Sequence, residues 1–123
     1  MTVSLENIAR NAACDAVVDL LDGGSVQFQD GTNADAVVAT LSLSATAFGD
    51  AVAGTAEAND ITADTDAVGG EITKAVFRNS ADAAIFEVTV TETGGGGTIT
   101  MSSTTIGAGD TVSLNSYSHT QPV

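Results

Sequence analysis

Three aspartates, Asp60, Asp64 and Asp66, lie within seven residues of one another near the middle of the chain. Hard cations such as Ca²⁺ are held by several oxygen ligands from carboxylates, carbonyl groups and water. Asn59 and Thr62 stand beside the aspartates and carry further oxygen atoms. The spacing lacks the central glycine and the closing glutamate of an EF-hand. We expect a solvated acidic loop here, with a Ca²⁺ site at the three aspartates as the alternative, and no other cofactor.

His119 and Cys14 are the only histidine and the only cysteine. Nucleophilic catalysis brings a nucleophile, a base and an orienting group together. His119 lies between Ser118 and Thr120, as a histidine on an edge strand would, and Cys14 stands among alanines in a predicted helix, where a thiol packs as a small apolar group. No G-x-S-x-G motif is present. The sequence predicts a protein that is not an enzyme and has no catalytic residues.

Four consecutive glycines occupy positions 94–97. Loops that cradle phosphate lead into a helix and usually carry a lysine. Here the glycines precede residues typical of a strand and have no basic neighbour. We therefore predict a flexible hairpin tip that binds no ligand.

The first segment predicts a helix over residues 4–22, with Ser4 as its N-cap and Gly23-Gly24 ending it. Apolar residues recur at three- and four-residue spacing, which favours one buried stripe. We expect Leu20 to be essential to that stripe. Its members are Leu5, Ile8, Ala9, Ala12, Ala13, Val17, Leu20 and Leu21.

Beyond Gly24 the apolar residues alternate with polar ones, which indicates short strands over residues 25–121. The pair 72–78 and 85–91 predicts a β-hairpin, and residues 111–119 predict the last strand. The fold expected is mainly β, an antiparallel β-sandwich or open barrel of about seven strands with one N-terminal helix. All of residues 1–123 are expected to form a single domain.

The chain is strongly acidic, with a formal charge of −13 from 16 acidic and three basic residues. Such a surface repels phosphate backbones and anionic membranes, so neither nucleic acid nor a membrane is an expected partner. Large core side chains are scarce, which suggests that burial against other chains adds to stability. We expect a homo-oligomer, with a trimer as one form. No signal peptide or membrane-spanning stretch is predicted, which indicates synthesis in the cytoplasm.

Three stretches, in the same order along the chain, resemble a group of small tailed-phage virion structural proteins. Residues 5–16 look like an opening N-x-x-x-N-A-x-x-D-A segment, and residues 38–49 look like an L-A-T-L-x-L-S-x-x-A-F-G strand. Residues 106–114 look like a closing I-x-A-G-x-x-V strand. The tetraglycine at 94–97 departs from that pattern.

The resemblance implies a virion protein made in the host cytoplasm. A capsid decoration or cement protein fits best, and it would stabilise the head through contacts with the major capsid protein or other virion proteins. One alternative is a tail- or fibre-associated virion protein that contacts the host surface. A second alternative is a glycan- or cation-binding surface module. The number of copies per particle, and their place on it, distinguishes a capsid decoration protein from a tail- or fibre-associated protein.

Overall fold

A computed structural model describes residues 6–114 and 116–120 of the chain. The helix α1 spans Asn7–Asp19 and is followed by ten strands, several of which have only two or three residues. The strands are β1 (Ser25–Asp30), β2 (Ala36–Leu43), β3 (Thr55–Glu57), β4 (Ile61–Thr62), β5 (Gly70–Glu71), β6 (Lys74–Arg78), β7 (Ala84–Glu92), β8 (Ile99–Met101), β9 (Thr105–Ile106) and β10 (Ser118–Thr120). The predicted class, mainly β with one N-terminal helix, is confirmed.

One curled sheet of six strands, in the order β4-β2-β1-β6-β7-β8, forms most of the fold. The predicted hairpin is confirmed, because β6 and β7 pair antiparallel with Phe77 opposite Phe86. Side chains of adjacent strands that face each other point to the same side of a sheet. Val26 and Phe28 on β1 lie opposite Phe77 and Ala75 on β6, and all four are buried. This face of the sheet therefore supplies the core.

The prediction of a hairpin at the tetraglycine is wrong, because β7 and β8 pair in parallel. The chain turns back on itself within residues 93–98 and sets Ile99 beside Val90. A Cβ on Gly95 would lie 2.7 Å from the Cβ of Thr91, and one on Gly97 would lie 3.0 Å from the backbone nitrogen of Thr91. The Gly97 N–H also donates to the Thr91 hydroxyl at 3.0 Å. Glycine is thus required here for close packing on Thr91.

Two small sheets, β3 with β10 and β5 with β9, complete the fold. The segment that leads into β10 covers the core face of the large sheet, where Tyr117 lies against Phe77 with ring centroids 4.7 Å apart. Tyr117 also meets Phe48 edge-on at 6.1 Å. The predicted long strand over 111–119 is wrong: among its described residues only the end, in β10, is a strand, while Val112 makes a single bridge to Asp64.

The helix is shorter than the predicted span of 4–22. It begins at Asn7 with Glu6 as the N-cap, and the predicted cap, Ser4, lies outside the described residues. The Glu6 side chain makes no capping hydrogen bond. After Leu20, a turn follows the helix, and the Gly24 N–H donates to the Leu21 carbonyl across it at 2.8 Å. Leu5 also lies outside the described residues.

Candidate interaction surfaces

The predicted helix stripe is only partly buried: Leu21 faces the core, whereas Ile8, Ala12 and Leu20 face outward. Ile8 is 87% exposed and Leu20 is 55% exposed, and Ala12 and Ala16 between them are also exposed. These four residues follow one another at four-residue spacing and so form a single row along the helix. We call this row the helix face. The expectation that Leu20 is buried is therefore wrong, and an apolar face lies in solvent.

The buried side of the helix is made by Cys14, Val18 and Leu21, all almost fully buried. Alanine-rich helices carry several apolar rows of similar strength, so spacing alone does not select one of them. The inward row packs against β3 and β10. Ala56 on β3 and Tyr117, just before β10, belong to the same core cluster.

Three polar side chains attach the helix and the turn after it to residues 47–54. Asn11 accepts the N–H of Gly54 at 2.7 Å, and Asp15 accepts the N–H of Ala51 at 2.8 Å. Asp22 accepts the N–H of Ala47 at 2.8 Å. Backbone N–H groups of an irregular loop need acceptors when they approach the core. Asp15 and Asp22 thus have a structural role that the sequence pattern did not reveal.

The structure gives Asp64 a structural role within the predicted acidic loop. One oxygen of its carboxylate accepts the N–H of Thr40 on β2 and the other accepts the N–H of Asp66, both at 2.9 Å. These two backbone hydrogen bonds lower the pKa of Asp64. Asp60 is exposed, and its carbonyl accepts the Ser44 hydroxyl.

Among residues 6–114 and 116–120, no three His, Cys, Asp or Glu side chains gather closely enough to hold a metal ion. The Ca²⁺ site at Asp60, Asp64 and Asp66 stays a prediction, for which a Ca²⁺-dependent rise in melting temperature is the test.

Cys14 and His119 are in contact, through the thiol of Cys14 and the backbone of His119. The Cys14 thiol donates to the backbone carbonyl of His119 at 3.5 Å. The imidazole stacks on Phe86 with ring centroids 4.9 Å apart. Burial raises the pKa of the Cys14 thiol and lowers the pKa of His119. The arrangement therefore favours a neutral, buried thiol and a neutral, half-buried imidazole.

A groove separates β8 from the last segment of the chain. One part, of about 380 Å³, is lined by residues 98–100 on one side and by Leu114 and residues 116–118 on the other. A second part, of about 470 Å³, is lined by residues 100–103, 105–106 and 110–113. Thr100 lines both parts, so we treat them as one groove, the β8 groove. Hydroxyl side chains predominate along it.

No protein-family model, no curated protein and no solved structure matches the chain. Across the described ranges, the helix is neither long nor apolar enough to span a bilayer. The fold and surfaces define a small acidic β protein with an apolar helix face and a groove beside β8 lined mainly by hydroxyl side chains.

Proposed function

We propose that this chain is a structural, protein-binding component of a tailed-phage virion, and that it docks on the head as a capsid decoration protein. The observation that carries the docking role is the helix face, with Ile8 and Leu20 exposed at its two ends. The resemblance of residues 5–16, 38–49 and 106–114 to small virion proteins supports the setting. The major capsid protein is the partner that this role implies.

The helix face suits close contact with another protein. Alanines at positions 12 and 16 let a partner backbone approach, while the larger side chains of Ile8 and Leu20 fill hollows on either side. Full burial of each large side chain contributes about 1.5–3 kcal/mol. That is modest for one copy, but many identical contacts around a shell add up to firm attachment.

Charge supports a partner with a basic surface. The chain carries −13, whereas the four residues of the helix face are uncharged. A basic rim around an apolar pocket on the partner would attract the surrounding acids and receive the helix face. Opposite charge of this kind speeds encounter and selects the partner.

The proposal includes no catalytic step. His119 has one face of its ring covered by Phe86, and the Cys14 thiol is buried with its pKa raised. Both features oppose their use as a base and a nucleophile, since each needs access to a substrate.

The test is made on particles of a phage that encodes this chain. Quantitative mass spectrometry of purified heads and tails gives the copy number, and hundreds of copies on heads is the expected result. Particles from a deletion phage should lose DNA at lower temperature or lower salt than wild-type particles. A handful of copies confined to tails, or heads of equal robustness without the protein, would contradict the proposal.

A further inference from the structure

Among the described residues, main-chain hydrogen bonds join the curled sheet to residues 109–112 on the side of β4. Beside β4, Asp64 and Val112 exchange two backbone hydrogen bonds of 2.9 and 2.8 Å. The same contact continues where Ala67 bonds with Asp110 and Gly109. Main-chain hydrogen bonds therefore join the sheet to the last segment of the chain on the side of β4.

Along the opposite side, β8 is the last strand of the sheet and borders the β8 groove. Within the described ranges, its backbone hydrogen bonds run to β7 and from the Thr93 N–H to the Met101 carbonyl. None runs to residues 110–114 or 116–118 across the groove. An end strand whose outer edge has no partner among the described residues presents backbone donors and acceptors that can pair with another chain.

We infer that the β8 groove is a binding site for an extended basic segment of a partner protein, which would pair with β8 as an additional strand. Sheets bind peptides in this way when main-chain hydrogen bonds supply affinity and the neighbouring side chains supply selectivity. This site is separate from the helix face and does not depend on it.

The shape and chemistry of the groove favour an extended chain. Its two parts are each within the range of small-molecule sites, roughly 300–1,000 Å³, but such sites are mostly apolar. Here the hydroxyls of Thr98, Thr100, Ser116 and Ser118 line the first part. A strand brings its own main-chain donors and acceptors, which these hydroxyls and the β8 edge can satisfy. Residues 98–103 would accommodate about six residues, or roughly 20 Å, of an extended peptide.

Charge favours a basic occupant over a second copy of this chain. The groove is lined by one charged residue, Asp110, and by no basic residue. Glu92 lies beside Met101 in the ladder, and Glu71 accepts the hydroxyls of Thr104 and Thr105 close to the second part. Two copies carrying −13 each repel one another, whereas a basic segment is attracted.

The experiment uses the full chain labelled with ¹⁵N and an eight-residue peptide of alternating valine and lysine. We expect saturable chemical-shift changes concentrated at residues 98–103, 110–114 and 116–118. An alternating valine–glutamate peptide should not bind. The valine–lysine peptide methylated on alternate backbone nitrogens should bind at least about tenfold more weakly, because two or more hydrogen bonds are lost.

A matched pair of variants separates the groove from general attraction to an acidic protein. Thr100→Lys places a positive charge in the groove, and Ser42→Lys places one on the exposed surface of β2. Thr100→Lys should weaken binding of the valine–lysine peptide about tenfold, and Ser42→Lys should leave it within about twofold. Thermal unfolding of both variants checks that the fold is kept.

Absence of binding, shifts scattered over the whole surface, or equal binding of the methylated peptide would overturn the inference. So would equal weakening by Thr100→Lys and Ser42→Lys. None of these results bears on attachment through the helix face, which is measured on particles.

Discussion

The carboxylate of Asp15 accepts the backbone N–H of Ala51 at 2.8 Å, and this contact acts together with the packing of Cys14 and Val18 to orient the helix on the core. Asp15 lies between the buried row that includes Cys14 and the exposed row that includes Ile8. With Asn11 and Asp22 it holds the helix and the turn after it to residues 47–54 through polar contacts. The apolar helix face is left outside as a consequence.

Removing that acceptor should destabilise the fold. Asp15→Ala leaves the Ala51 N–H without its partner, which lowers the free energy of unfolding by about 1–3 kcal/mol. The control is Asp19→Ala on the exposed side, where removal of a negative charge near the helix C-terminus leaves stability equal or slightly higher. Urea unfolding followed by circular dichroism measures both. Equal stability of the two variants would show that the Asp15 contact does not form.

Neighbouring leucines at the end of the helix should behave oppositely. Leu21 is 0% exposed, so Leu21→Ala creates a cavity and lowers the free energy of unfolding by about 2–5 kcal/mol. Leu20→Ala should change it by less than about 0.5 kcal/mol, because its side chain is mostly in solvent. Thermal unfolding of the two variants is the measurement. A larger loss in Leu20→Ala would mean that the helix is rotated relative to the structure described.

Gly23 and Gly24 should respond differently to alanine for two separate reasons. Gly23 has φ +69° with nothing closer than 4.0 Å to an added Cβ, so Gly23→Ala costs about 1–2 kcal/mol of backbone strain. A Cβ on Gly24 would lie 2.0 Å from the backbone oxygen of Arg78 on β6. Gly24→Ala should therefore be the more damaging change and lower the melting temperature further. The opposite order would show that the chain at Gly24, just before β1, does not pass this close to β6.

His119 should make stability depend on pH. Burial lowers the pKa of its folded-state imidazole below the ordinary 6.5, so on acidification the unfolded chain takes up the proton first. Stability is thus highest above pH 6.5 and falls as the pH drops from 6.5 through the lowered pKa. The depressed pKa values of Asp64 and Glu71 act in a lower range, below their ordinary values of 3.8 and 4.5.

The variant His119→Phe keeps a ring against Phe86 and removes the titration. Its melting temperature should vary less between pH 7 and pH 5 than that of the wild-type protein. An unchanged pH dependence in the variant would mean that another group is responsible.

Local pattern predicted the elements that have a clear period. The β6–β7 hairpin was predicted because Phe77 and Phe86 each sit in an alternating run bounded by a polar turn. The same alternation predicts that the side chains of Val26 and Phe28 are buried, as the structure shows. The class of fold could therefore be read from the sequence.

Features that depend on distant contacts could not be predicted in this way. The orientation of the helix was set by hydrogen bonds from Ala47, Ala51 and Gly54, which lie 25 to 43 residues from their acceptors. The parallel pairing of β7 and β8 rests on glycines packed against Thr91, a contact that composition does not reveal. The β8 groove likewise exists only once the sheet has curled.

The most direct test of docking through the helix face is a binding assay on heads that lack this protein. Purified wild-type chain, Leu20→Glu and Val68→Glu are each mixed with such heads and sedimented. Val68 is 69% exposed and lies away from the helix. Val68→Glu therefore adds the same negative charge as Leu20→Glu, but outside the helix face. Wild-type and Val68→Glu proteins should sediment with the heads at a saturating ratio, and Leu20→Glu should stay in the supernatant. Sedimentation of Leu20→Glu to the wild-type level, or failure of the wild-type chain to bind, would contradict the proposal.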